Sequence, residues 1–197
     1  MTTPSTIAQE LARAQAAGLA RIDAQMLLLH VLDRATSDRA WLLTHDGDAM
    51  AADALARWHA LCARRAAGEP VAYLTGRKEF YGLALQVDAR VLDPRPDTET
   101  LVEWALELIA PCPAPRVADL GTGSGAIALA IQHQRPDACV LAVDASEGAL
   151  AVARANAKRL KLGVQCVQGD WLAGLDGPFD AIVSNPPYIP AQDPHLA

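Results

Sequence analysis

Residues 116–134 read RVADLGTGSGAIALAIQHQ and decide the fold of the second half of the chain. The segment 117–120 predicts a strand, the glycine-rich segment 121–125 a tight turn, and 126–134 a helix. The alternation continues with predicted strands at 140–143, 164–167 and 181–183 and a helix at 147–160, capped by Ser146. Because alternating strands and helices imply βαβ crossovers, we predict a Rossmann-like α/β domain with a parallel sheet.

The part of the chain before Pro70 predicts helices and little else. We expect helices at 5–17, where Ser5 is the cap, at 24–32, from 37 through 43, and at 49–67. Alternation over 79–87, broken at Gly82, predicts a β-hairpin. We therefore expect three parts: a helical bundle that recognises a protein substrate (1–70), a hairpin and linker (71–96), and a catalytic domain (97–197).

Composition limits the function classes. The formal net charge of −6 argues against a binder of duplex nucleic acid, which usually carries a basic face. The four cysteines have no metal-ligand spacing, so we expect no metal. No apolar stretch approaches the roughly 20 residues that span a bilayer, and the N-terminus has no apolar core of a signal peptide. We expect a cytoplasmic protein without a membrane partner.

The turn after the first strand of the α/β domain indicates a cofactor site. Glycines let the backbone approach a ligand closely, and a helix N-terminus presents N–H groups. We therefore assign cofactor binding to this turn, which comprises Gly121, Thr122, Gly123, Ser124 and Gly125. Asp144, at the end of the next strand, can bind a ribose hydroxyl. At this point a dinucleotide site and an S-adenosylmethionine site both remain open.

Three features at successive strand ends favour S-adenosylmethionine. Asp119 stands where a dinucleotide site normally has an apolar residue, and a carboxylate there can hold an ammonium group or its ordered water. Asp170 and Trp171 follow the third strand, where an acid and an aromatic ring can bracket an adenine. The fourth strand ends in Asn-Pro-Pro-Tyr, which has no role in hydride transfer.

The tetrapeptide Asn185-Pro186-Pro187-Tyr188 is suited to holding an amide or amino group. The side-chain oxygen of Asn185 and the carbonyl of Pro186 can each accept a hydrogen bond from an NH2 group, and Tyr188 offers a flat face. We assign Asn185, Pro186 and Tyr188 to catalysis and the whole tetrapeptide to substrate binding. Asn185 is also expected to contact the cofactor.

With these motifs in view, the chain resembles the HemK-type (PrmC) glutamine methyltransferases that act on peptide chain release factors. The resemblance covers nearly the whole chain and is most specific in VLDPRPDTE (91–99) and NPPYIP (185–190). It implies a class I methyltransferase fold and methyl transfer from S-adenosylmethionine to the glutamine amide of a Gly-Gly-Gln motif, in translation termination. It also implies that Gly121 to Gly125, Asp144 and Trp171 hold the cofactor, and Asn185 to Tyr188 the glutamine.

Two alternatives stay open. The same tetrapeptide occurs in nucleic-acid amino-methyltransferases of the adenine type, where it would hold an exocyclic amine, flipped out if the substrate is a duplex. The other alternative is an inactive cofactor-binding fragment. Only four strands are predicted, fewer than the class I fold has, so we expect the catalytic domain to be incomplete at Ala197 and its activity to be weak or absent.

Overall fold

A computed structural model describes residues 5–186 of the chain, which divides after Gly76 into two compact units. The first unit is helical, with α1 Ile7–Ala16, α2 Arg21–Val31, α3 Arg39–Thr44, α4 Ala52–Ala66 and α5 Val71–Thr75. All five helices contribute apolar side chains to its core, which includes Leu27, Leu28 and Trp58. The predicted helices α1 to α4 are therefore confirmed, with ends shifted by up to three residues.

Two details of the helical unit differ from the predictions. Thr6, and not Ser5, caps α1, because its hydroxyl accepts the Gln9 N–H while the Gln9 side chain accepts the Thr6 N–H. Helix α5 was not predicted, because Pro70 looked like a stop signal; proline instead stands directly before the first residue of α5, where no backbone donor is needed. The helical unit therefore continues past Pro70.

The second unit begins with the predicted hairpin, which is confirmed. Strands β1 Arg77–Phe80 and β2 Leu83–Gln86 pair antiparallel, with Phe80 opposite Leu83. Tyr81 and Gly82 form the turn with φ of 50° and 76°, the left-handed values that a two-residue hairpin turn requires. A 3₁₀ turn at Pro96–Thr98 then leads into α6, Glu99–Ile109.

Within residues 77–186 the parallel sheet has four strands, as predicted. They are β3 Arg116–Leu120, β4 Cys139–Asp144, β5 Gln165–Gln168 and β6 Ala181–Ser184, in the spatial order β5-β4-β3-β6. From β3 the chain crosses over to β4 and then to β5, each time moving one strand further toward the same side of the sheet. It then returns to form β6 on the opposite side of β3. The carboxyl ends of all four strands lie at one edge, with the reversal of strand order between β3 and β6, which is where open α/β sheets bind ligands.

Helices α7 Ala126–Gln134 and α8 Glu147–Leu160 have the predicted bounds. Gly125 starts α7 with φ of 83°, and an added Cβ would lie 3.0 Å from the Leu129 side chain, so both conformation and packing require glycine there. The Ser146 hydroxyl caps α8 by accepting the Ala149 N–H at 3.2 Å, as predicted. These two helix starts place the glycine turn and Asp144 at the ligand-binding edge of the sheet.

Candidate active site

A cavity of about 180 Å³ opens at the carboxyl edge of the sheet. It is lined by Leu120, Gly121, Val143, Asp144, Ala145, Gly169, Asp170, Trp171, Ser184 and Pro186. Residues from the ends of β3, β4, β5 and β6 therefore meet around one space. Of the site residues predicted from sequence, the cavity brings together Gly121, Asp144, Asp170, Trp171 and Pro186.

The glycine turn is held by hydrogen bonds to the neighbouring strand. The N–H groups of Gly121 and Thr122 both donate to the Val143 carbonyl, at 2.8 and 2.9 Å, and the Gly123 N–H donates to Asp144 Oδ2 at 2.9 Å. From the sequence, the N–H groups of this turn are predicted to be presented to a ligand. These three bond instead to the protein, so their role is to shape the turn.

Asp119 lies beneath the turn and is completely buried. Its Oδ2 accepts the Thr122 hydroxyl at 2.6 Å and the Ala128 N–H at 3.2 Å. Burial raises the pKa of this carboxyl to about 6, against the lowering effect of those two hydrogen bonds. Among residues 5–186, no donor reaches Oδ1. A buried acceptor of this kind fits a cationic or hydrogen-bonding group placed next to it.

Asp144 is the half-buried carboxylate at the end of β4. Its Oδ1 accepts the Ser146 N–H and its Oδ2 the Gly123 N–H, both at 2.9 Å. These two bonds orient the carboxylate and leave lone pairs on each oxygen, because an ionised carboxylate accepts about four hydrogen bonds. The group can therefore accept from hydroxyls of a ligand in the cavity.

Asp170 and Trp171 follow β5 across Gly169, whose N–H donates to the Asp144 carbonyl at 3.1 Å. An added Cβ at Gly169 would lie 3.3 Å from a methyl group of Val143, so the chain passes close to β4 here. Trp171 has φ of 53° and is 57% exposed. Such exposure shows that Trp171 does not belong to the core, and the residue lines the cavity instead.

Asn185 and Pro186 follow β6 directly. The side-chain amide of Asn185 donates from Nδ2 to the hydroxyl of Thr98, at 2.8 Å. Pro186 lines the cavity, whereas Pro187 and Tyr188 lie outside the described residues. The described half of the tetrapeptide thus stands beside the space bordered by Asp144 and Trp171.

Some predicted residues support the site from below, and some lining residues were missed. Thr122 and Ser124 are buried residues of the turn, and the Ser124 carbonyl accepts a hydrogen bond from Asn156 Nδ2 at 3.0 Å. The prolines at 94 and 96 predict an extended entry to a helix that ends near Ile109, with Asp97 or Thr98 as its cap. Thr98 is the N-cap residue of α6, but its hydroxyl makes no capping hydrogen bond there. Its contact with Asn185 was not predicted.

Comparisons with known proteins identify the family to which this chain belongs. The family model described as Methyltransferase small domain matches residues 98–196, and the model described as PrmC N-terminal domain matches residues 5–76. A release factor glutamine methyltransferase of Bordetella pertussis is 53% identical over 91% of this chain and 66% of the relative. One of Xylella fastidiosa is 52% identical over 98% of this chain and 69% of the relative. The chain belongs to the release factor glutamine methyltransferase family.

A more distant relative of the same name, from Escherichia coli, is 44% identical over 95% of this chain and 67% of the relative. The chain thus spans about two thirds of the length of the release factor glutamine methyltransferases that it matches. Membership in this family decides between the two cofactor classes left open by the glycine turn. The domain is a class I S-adenosylmethionine-dependent methyltransferase domain, as the resemblance implied, and not a dinucleotide-binding domain.

Among residues 5–186, no helix is long and apolar enough to cross a membrane. The same residues contain no group of three or more His, Cys, Asp or Glu side chains arranged to hold a metal ion.

Proposed function

We propose that this protein transfers a methyl group from S-adenosylmethionine to the side-chain amide nitrogen of the glutamine in the Gly-Gly-Gln motif of peptide chain release factors. The observation that carries the proposal is the position of Asn185 and Pro186. They follow the strand next to β3 and stand beside the cavity formed by the glycine turn, Asp144 and Trp171. An acceptor for an NH2 group therefore lies at the edge of a site suited to a nucleoside. Relatives at 44–53% identity carry the same functional name.

The cofactor would be held by residues at three strand ends. Asp144 accepts hydrogen bonds from the ribose hydroxyls. Asp170 would bind an edge of the adenine, and the aromatic ring of Trp171 would stack on it. We assign the methionyl ammonium group, or a water bound to it, to the Oδ1 atom of Asp119, which accepts no hydrogen bond from the described residues. The bound cofactor supplies a methyl group on a positively charged sulfur.

The chain's own contribution to the reaction is to orient the acceptor amide. An amide nitrogen is a poor nucleophile because its lone pair is delocalised into the carbonyl. When Asn185 Oδ1 and the Pro186 carbonyl accept both N–H bonds of the glutamine, its nitrogen lone pair is directed at the methyl group. We assign the contact with the face of the amide to the ring of Tyr188, which lies outside the described residues. Orientation of this kind supplies at most about 7–11 kcal/mol of a barrier.

Proton removal follows transfer in this proposal. The tetrapeptide 185–188 contains no strong base, since an asparagine, two prolines and a tyrosine offer only neutral acceptors at pH 7. After transfer the amide nitrogen carries a positive charge and is strongly acidic, so water suffices to accept its proton. We therefore propose orientation, and not general-base catalysis, as the main contribution of this site.

The remaining assignments concern partners and location. In this proposal the helical unit, which ends at Gly76, binds the release factor. Nucleic acid, metal ions and membranes are not assigned as partners. The formal net charge of −6 supports a protein acceptor over a polyanionic one. Because release factors act in translation, we assign the protein to the cytoplasm.

Labelled methyl transfer tests the proposal. The protein, as its own gene encodes it, would be incubated with methyl-labelled S-adenosylmethionine and four acceptors: a release factor, the same factor with the motif glutamine changed to alanine, duplex DNA and transfer RNA. We expect label on the unmodified release factor alone. Label on the factor whose motif glutamine is replaced by alanine, or on either nucleic acid, would contradict the proposal. Absence of label from all four acceptors would contradict it too.

A further inference from the structure

The hydrogen bond between Asn185 and Thr98 joins two motifs that are 87 residues apart in the chain. Asn185 Nδ2 donates to Thr98 Oγ1 at 2.8 Å, and Thr98 is only 8% exposed. Thr98 lies directly before α6, and Asn185 directly after β6. A buried hydroxyl from the segment 91–99 therefore contacts the residue that the proposed function places on the substrate amide.

The Thr98 side chain stands on a restrained backbone. Pro96 begins the 3₁₀ turn, and the Thr98 N–H closes that turn on the Arg95 carbonyl at 3.0 Å. On the other side, the Glu99 carboxylate accepts the Tyr81 N–H from the hairpin turn at 3.0 Å. Proline fixes φ and lowers the entropy of alternative conformations. The position of the Thr98 hydroxyl is thus determined by contacts on both sides, and Asn185 is held against a fixed point.

We propose that Thr98 is a positioning residue, which holds the amide of Asn185 so that its oxygen faces the substrate. An asparagine amide has a donor end and an acceptor end of nearly equal shape. The bond to Thr98 engages the donor end, so the acceptor end is directed away from Thr98. If the hydroxyl is lost, one restraint on the amide is lost, so the orientation that presents N–H to the N–H of the substrate amide becomes more populated, and that orientation does not support transfer. The inference rests on the proposed function, because it deepens the role given to Asn185.

The first test removes the hydroxyl while keeping the shape. Thr98→Val should lower kcat for release factor methylation by roughly 3- to 12-fold, the effect of losing one neutral hydrogen bond. KM for the release factor should change by less than about twofold, because one glutamine is a small part of a protein interface. Thr98→Ser should restore kcat. Thr100→Val, the same change at an exposed position in α6, is the matched control and should behave as the wild type.

A double-mutant cycle separates positioning from a general structural effect. If Thr98 acts through Asn185, then Thr98→Val should cause no further loss of kcat in an Asn185→Ala background. Equal losses in both backgrounds would overturn the inference. So would a normal kcat in Thr98→Val, or a loss in Thr98→Val that Thr98→Ser does not restore.

A measurement without turnover keeps the two proposals distinguishable. In nitrogen-15-labelled wild-type protein, the side-chain NH2 of Asn185 should exchange hydrogen more slowly than that of exposed Gln165, and Thr98→Val should make the exchange of Asn185 faster. If the wild type methylates no release factor but the exchange behaves this way, the proposed function fails and the Thr98–Asn185 inference stands. If the wild type is active and Asn185 exchanges as fast as Gln165, the inference fails and the function stands.

Discussion

The carboxylate of Asp144 accepts the backbone N–H of Gly123, with 2.9 Å between Oδ2 and N. Through this bond the end of β4 orients the glycine turn that follows β3, while the second oxygen of Asp144 accepts the Ser146 N–H at the start of α8. One side chain thus connects three segments around the cavity. Because it also faces the cavity, the same group shapes the turn and is available to the ligand.

Asp144→Asn should weaken cofactor binding. The replacement can accept from Gly123 or Ser146 through its single oxygen but not from both, and it loses the charge that strengthens a bond to a ribose hydroxyl. Since hydrogen bonds to charged groups contribute about 1.5–3 kcal/mol, the dissociation constant should rise by roughly 10- to 150-fold. Calorimetric titration with S-adenosylhomocysteine measures this. Asp176→Asn, at an exposed position, is the control; equal affinities of the two variants would contradict the assignment.

Trp171→Ala should weaken cofactor binding without destabilising the fold. The ring is 57% exposed, so its removal leaves little cavity, whereas stacking of a base on an aromatic ring contributes about 1–3 kcal/mol. We expect the dissociation constant to rise by roughly 5- to 150-fold, Trp171→Phe to recover most of the loss, and the melting temperature to stay nearly constant. Trp104→Ala is the matched control, because Trp104 is 65% exposed on α6. A stacking role is excluded if Trp171→Ala binds as tightly as Trp104→Ala.

Asp119 should make the stability of the protein depend on pH. Burial raises the pKa of this carboxyl to about 6, above the value near 4 of an unfolded aspartate. The folded state therefore binds the proton more tightly than the unfolded state, and stability falls as pH rises from about 4 to 6. The size of the effect is at most about 3 kcal/mol.

The comparison that isolates this effect is the difference in unfolding free energy between wild type and Asp119→Asn. Urea denaturation of the cofactor-free proteins at pH 4, 5, 6 and 7 measures it. Wild type should lose stability relative to the variant as pH rises to 6, and the difference should be constant above about pH 7. A difference that is independent of pH, or that changes in the opposite direction, would contradict the raised pKa.

The sequence predicted the sheet and its helices well because their signals are local. Gly125 and Ser146 mark the starts of α7 and α8. Helix α5 was missed for a local reason too, since a proline stops one helix and precedes another equally well.

The candidate site was predicted less completely. Its residue types followed from their places at strand ends, so Asp144, Asp170 and Trp171 were found. What a local pattern does not reveal is a contact between distant segments. The bond from Asn185 to Thr98 depends on α6 lying beside β6 in the fold. Nor did the sequence indicate that Asp119 is fully buried, or that the N–H groups of Gly121, Thr122 and Gly123 are bonded within the protein.

Asn185→Ala, assayed by single-turnover methyl transfer to a release factor, tests the central claim most directly. By analogy with the loss of one preorganised polar group, the rate of transfer should fall by roughly 10²–10³-fold. Calorimetric titration should show a cofactor affinity close to that of the wild type, because the affected group orients the acceptor amide. Transfer at a near-normal rate in Asn185→Ala would contradict the account.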